Sequence, residues 1–211
     1  MSKKKSLLEI HEDVPADHYD QGIKKNLFQK YWHFRRFVEV LKVIKEVEGP
    51  ILDVGCHSGT FTQQILKKIG GQDIYGIDVS RSAIALAKKR LPFGHFEVAD
   101  AVKLPFKNSF FSGIFCLEMM EHVDDPRAVL KEIKRVAKAG SRIYILVPSE
   151  NKLFQIIWFL WTLYYRHWSH AHVQHFSGGL LEQLIKNIGF KIIGVKTFHL
   201  GMLKLIVAQK I

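Results

Sequence analysis

One stretch, Pro50-Ile51-Leu52-Asp53-Val54-Gly55-Cys56-His57-Ser58-Gly59-Thr60-Phe61, constrains this chain more than any other. A short apolar run ends in Gly55 and Gly59, and a helical pattern follows at once, with Phe61, Ile65, Leu66 and Ile69 on one face. The pattern predicts a buried strand, a tight turn and a helix. Gly55 lets a ligand approach the backbone with no side chain in the way. Gly59 falls where the helix starts, so unpaired N–H groups of its first turn face whatever occupies the loop. Two familiar ligand motifs do not fit. The dinucleotide fingerprint needs glycine where His57 stands, and the phosphate-loop pattern needs a Gly-Lys-Ser/Thr run that does not follow.

Strands and helices continue to alternate. Residues 73–79 read as a second buried strand, and Ser80 caps a helix reaching Arg90. Asp78 ends that strand, where nucleotide-binding α/β sheets place an acidic residue against the ribose hydroxyls. A third strand is expected over His95–Val98 and a fourth over Gly113–Leu117. Pro126 then opens a helix over 126–138, which stops near Gly140 and gives way to a fifth strand over Arg142–Val147. A last helix spans Leu180–Ile188 and stops at Gly189. Phe190–Phe198 and Met202–Gln209 form an antiparallel pair joined through Gly201.

The Asp-x-Gly-x-x-x-Gly strand end resembles the first motif of class I S-adenosylmethionine-dependent methyltransferases. The segment Glu118-Met119-Met120-Glu121-His122-Val123 with Asp125-Pro126 is similar to that family's Glu-x-x-Glu-His-Val stretch before a helix. The resemblance spans roughly residues 25–211. It implies an α/β, Rossmann-like fold: a mostly parallel seven-stranded sheet, helices on both faces and a C-terminal antiparallel hairpin. It implies S-adenosyl-L-methionine as cofactor, held by Asp53, Gly55, Cys56, His57 and Gly59 in the first motif and by Asp78 and Val79 at the second strand. Asp100 would contact the adenine amino group, the Ala101 amide would face the ring, and Leu117 ends the fourth strand at the ligand-facing edge. Two positions depart from the family pattern. Ser112 stands where an Asp is usual, and Ala139-Gly140-Ser141 replaces Pro-Gly-Gly.

Residues 1–24 are charged and poorly patterned and read as a mobile basic arm; 25–211 read as a single domain. A helical period over Lys25–Val47 carries the aromatic-basic cluster Tyr31-Trp32-His33-Phe34-Arg35-Arg36. That helix either packs one face on the sheet with its arginines solvated or, as the resemblance implies, covers the ligand pocket. Residues 150–176 read as an acceptor-side lid. Within them the apolar and aromatic run 153–165 would reach about 20 Å as a helix, short of the roughly 30 Å of a bilayer core. It is a lid, a homodimer contact, or a surface lying in an anionic membrane interface, where Trp and Tyr beside Lys152 and Arg166 are favoured.

His167, His170, His172 and His175 raise the question of metal. No cysteine lies near and the spacing matches no common zinc motif, so no metal is expected. His175 in the closing loop and His122 after strand four are instead candidate general bases, placed at the carboxyl edge of the sheet. The sequence has 31 Lys+Arg against 20 Asp+Glu, a net charge of +11 that suits anionic partners without choosing among them. Nucleic acid is not favoured: no Asn/Asp-Pro-Pro-aromatic segment, Pro-Cys nucleophile or aromatic RNA-reading motif is present. The two cysteines, Cys56 and Cys116, give no disulfide framework, and no apolar run follows the basic start, so a cytoplasmic protein, peripheral to a membrane at most, is expected. The reading is methyl transfer from S-adenosylmethionine to a small or lipid-like acceptor. The alternatives are a non-catalytic S-adenosylmethionine-binding partner subunit and an RNA-directed methyltransferase.

Overall fold

The computed structural model describes residues 15, 17–25, 27–70, 73–149, 151–157 and 174–211. Its seven strands form one sheet in the order β3-β2-β1-β4-β5-β7-β6, the mostly parallel α/β architecture expected. The chain divides into two compact units, 1–101 and 102–211.

The first unit begins with α1 (His18–Lys25) and α2 (Leu27–Leu41). A helix thus fills the end of the segment expected as an arm, and the helix expected over 25–47 is shorter at both ends. It closes through a tightened i→i+3 bond, Val43 N–H donating to Val40 O at 3.1 Å. Then come β1 (Ile51–Val54), α3 (Thr60–Ile69), β2 (Ile74–Asp78), α4 (Arg81–Arg90) and β3 (His95–Val98). β1 pairs parallel with β2, and β2 with β3. Every residue of β1 is buried, as a strand covered on both faces requires. Ser80 caps α4 as expected, its Oγ accepting from Ala83 N–H at 3.2 Å.

The second unit holds β4 (Phe111–Leu117), a 3₁₀ turn (Met120–His122), α5 (Pro126–Val136), β5 (Ala137–Pro148), α6 (Leu180–Asn187), β6 (Phe190–Phe198) and β7 (Leu203–Lys210). β4 and β5 run parallel, while β7 pairs antiparallel with both β5 and β6. α5 starts on the Asp125 side chain and Pro126 and buries Val129, Leu130, Ile133 and Val136 on one face. It ends at Val136, short of the expected 138, and β5 begins at once. The expected turn at Ala139-Gly140-Ser141 is a bulge inside that strand, since the β4 register jumps from Phe111↔Ala137 to Gly113↔Arg142. Ser141 Oγ donates to Lys138 O across the bulge at 2.6 Å. Ser112 Oγ accepts from Lys138 Nζ at 3.1 Å, so the side chain that replaces the usual Asp still meets a cation. Phe115 stacks on Tyr144 with centroids 4.9 Å apart. Both rings are fully buried.

Among the described residues no helix is long and apolar enough to cross a membrane. Residues 152–157 are helical, opened by Asn151 Oδ1 accepting from Phe154 N–H at 2.8 Å. The rest of the 153–165 run lies outside the described residues, as do His167, His170 and His172.

Candidate cofactor site

The Gly55–Gly59 turn is held almost wholly by its own amides. Gly55 N–H and Cys56 N–H both donate to Ile77 O, at 2.8 and 2.9 Å, tying the end of β1 to the end of β2. Gly59 N–H donates to Cys56 O at 2.9 Å. His57 N–H donates to Asp78 Oδ2 at 2.9 Å. His57 adopts φ 46, a left-handed conformation that costs a non-glycine residue about 1–2 kcal/mol. The charge-assisted bond from its amide to Asp78 offsets that cost. A turn whose amides are spent internally is a poor phosphate cradle. It suits a ligand that brings hydroxyls and cations to carboxylate oxygens.

Asp78 is the pivot. Its Oδ1 accepts from Ser80 N–H at 2.9 Å, and its backbone O accepts from Ala99 N–H at 3.1 Å. One residue therefore fixes the glycine turn, the start of α4 and the end of β3. Each carboxylate oxygen keeps a further lone pair for a ligand hydroxyl. Val79 is half-buried beside it, Asp100 is exposed just past β3, and the Ala101 side chain is buried. These residues all belong to the first unit, and the hydrogen bonds gather Gly55, Cys56, His57, Gly59 and Asp78 into one place.

Two expectations change in detail. Gly59 is expected among the cofactor-binding residues, at the start of a helix whose first-turn N–H groups face the loop. Its own N–H donates to Cys56 O inside the turn, and its φ of +72 is left-handed. Glycine adopts that backbone conformation without strain. Asp53 is buried, and its Oδ2 accepts from Thr62 Oγ1 at 2.6 Å. Burial, with Asp78 adding to it against the Thr62 bond, pushes the Asp53 carboxyl up to about 7. Burial likewise pushes the Cys56 thiol up, which makes it a packing residue rather than a nucleophile.

Sequence reasoning missed Arg90. One guanidinium nitrogen donates to Ser58 O at 2.5 Å and Ser58 Oγ at 3.1 Å, and also bonds Thr60 Oγ1. In sequence Arg90 is one of three basic residues closing α4, and nothing there separates it from its neighbours. Arg90→Ala is expected to weaken S-adenosylmethionine binding roughly tenfold, about 1.4 kcal/mol. Isothermal titration calorimetry reads this directly. Unchanged affinity would mean that the turn keeps its shape without the arginine.

In the second unit Leu117 ends β4, half-buried, and Glu118 N–H donates to Leu146 O at 2.7 Å. The 3₁₀ turn carrying His122 is joined to the segment before α6. Gln174 N–H donates to Glu121 O at 3.0 Å, and Gln174 Nε2 donates to Asp124 O at 3.2 Å. His122 and His175, each next to one end of the first bond, are thereby brought to one locality of this unit. His122 is half-buried and His175 exposed. Gln174 itself gave no sequence signal. Among the described residues no cluster of His, Cys, Asp and Glu could hold a metal ion.

A family model described as a methyltransferase domain matches residues 25–195. The chain belongs to that family. It is 27% identical over 208 residues to a ubiquinone/menaquinone biosynthesis C-methyltransferase of Desulfotalea psychrophila, covering 90% of this chain and 84% of that protein. It is 38% identical over 101 residues to the O-methyltransferase cnsE of Penicillium expansum, covering 45% of this chain and only 36% of that protein. An S-adenosylmethionine-dependent methyltransferase from Thermotoga maritima has the same fold, with a TM-score of 0.75, 19% identity and coverage of 98% of this chain and 100% of that one. S-adenosyl-L-methionine is the cofactor of this methyltransferase, and the donor set built around Asp78 fits its ribose.

Proposed function

We propose that this methyltransferase transfers a methyl group from S-adenosylmethionine to a small, lipid-like acceptor of the quinol or phenol kind. The observation that carries the donor half is the Asp78 carboxylate, fixed by two backbone amides with lone pairs left over. The acceptor half is supported by the Desulfotalea psychrophila relative, a quinone-biosynthesis C-methyltransferase aligned over most of both chains. Bound S-adenosylmethionine supplies a methyl group on a sulfonium, already activated for in-line displacement. What remains for the protein is alignment and the handling of one proton. Asp78 accepts from the ribose hydroxyls and orients the donor. His122 and His175, sequence neighbours of the two ends of the Gln174–Glu121 bond, are the bases proposed to take the acceptor proton.

The lipid-like character of the acceptor accords with residues 152–157, where Leu153 and Ile156 are exposed beside Lys152. The test is donor turnover. Release of S-adenosylhomocysteine with a short-chain demethylmenaquinol, lost in His122→Ala or His175→Ala with donor affinity retained, is the expected result. Donor binding with no turnover on quinols, catechols or phenols would make the chain a non-catalytic binding subunit.

A further inference from the structure

The outer face of α2 exposes three large apolar or aromatic side chains. Leu27, Tyr31 and Phe34 are 85%, 59% and 61% exposed. At 3.6 residues per turn, positions i, i+4 and i+7 lie on one face. The opposite face carries the buried His33, Arg36 and Val40, and Phe37 packs its ring on Phe61 of α3 with centroids 4.5 Å apart. The helix is therefore anchored by its inner side, and its outer stripe is largely exposed. Basic residues border that stripe. Lys30 flanks it on one side and Arg35 on the other, while Lys24 precedes it at the end of α1. The only acidic residue of α2, Glu39, is buried and bound by Arg35 at 3.6 Å and Lys42 at 3.0 Å.

We infer that the Leu27–Tyr31–Phe34 face of α2 docks on an anionic lipid surface. An apolar stripe of one Leu and two aromatics, rimmed by cations on a helix lying flat against its domain, is the pattern of an interfacial helix. The charge selects the surface: a basic rim on a chain of net charge +11 meets anionic headgroups favourably. A nucleic-acid partner would use the rim but leave the Leu27 side chain without a role. This inference deepens the lipid-like acceptor reading, because a helix held at the headgroup level brings the enzyme to an acceptor dissolved in the bilayer.

The experiment is vesicle co-sedimentation of the full chain. The probes are phosphatidylglycerol/phosphatidylcholine vesicles and phosphatidylcholine vesicles alone, at low and moderate salt, with a polyuridylate competitor. The wild-type protein is expected to sediment with the anionic vesicles only, less at moderate salt. Tyr31→Ser/Phe34→Ser should lower partitioning by roughly a hundredfold, and Lys24→Glu/Lys30→Glu by roughly tenfold or more. Both pairs are surface positions, so an unchanged melting temperature checks that the variants fold. Wild-type protein left in the supernatant overturns the inference. So does an α2 variant that sediments like wild type while Trp158→Ser/Trp161→Ser does not, although membrane contact itself then stands. Displacement by polyuridylate, or a dimer that Tyr31→Ser/Phe34→Ser dissociates with vesicle binding unchanged, would assign the face to RNA or to a second copy. Methyl transfer is read separately by S-adenosylhomocysteine release, so failure of one reading leaves the other measurable.

Discussion

Asp78→Ala should abolish useful S-adenosylmethionine binding, lowering affinity by about a hundredfold or more. Two charge-assisted bonds to ribose hydroxyls, each contributing roughly 1.5–3 kcal/mol, already predict that loss. The structure adds a second reason. Asp78 Oδ2 holds the His57 amide and Oδ1 holds the Ser80 amide, so the alanine variant also releases a left-handed His57 and the entry to α4. Asp78→Asn separates the two contributions, since its single carbonyl oxygen keeps one acceptor and the amide loses the charge. Calorimetry should place Asn between wild type and Ala, with a smaller fall in melting temperature than Ala. Equal and unchanged affinities in both variants would remove Asp78 from the donor site and leave it a purely structural cap.

What the sequence discloses follows the range of the interactions involved. β1 and β2 are legible because buried strands between turn residues leave an apolar signature, and the cap at Ser80 because it acts over three residues. The ends of α2 and α5 are less legible. The sequence reading runs α5 to 138, with its stop near Gly140, and Lys138 is a good helix former. Pairing with β4 overrides that propensity, and Ala137 enters the sheet opposite Phe111. At the site, the glycine turn and Asp78 are readable as a strand-end motif. Arg90 is not, because its partners Ser58 and Thr60 lie some thirty residues away and any basic residue on that helix face would look the same in sequence.

Stability should fall as pH rises from about 4 to about 7, and Asp53→Asn should remove most of that fall. The Asp53 carboxyl sits at about 7 in the folded protein against an ordinary 3.8. Between those values the folded state binds a proton that the unfolded chain has released, so each increase in pH favours unfolding. Across the whole window the effect reaches on the order of 4 kcal/mol, and above pH 7 it stays constant as a standing penalty. Burial is the main cause, with the Asp78 charge adding to it and the Thr62 hydroxyl working against it. Asn at position 53 is isosteric, keeps an oxygen for the Thr62 hydroxyl and carries no charge to desolvate. The variant should therefore melt higher than wild type at pH 8 and converge with it toward pH 4. Asp78→Asn should flatten the wild-type slope only slightly, because it removes the smaller contribution and leaves burial in place. Denaturant titrations of the three proteins at pH 4, 6 and 8 measure the slopes. A wild-type slope that Asp53→Asn leaves intact would mean that the carboxyl stays ionised inside the fold, compensated by a partner other than Thr62.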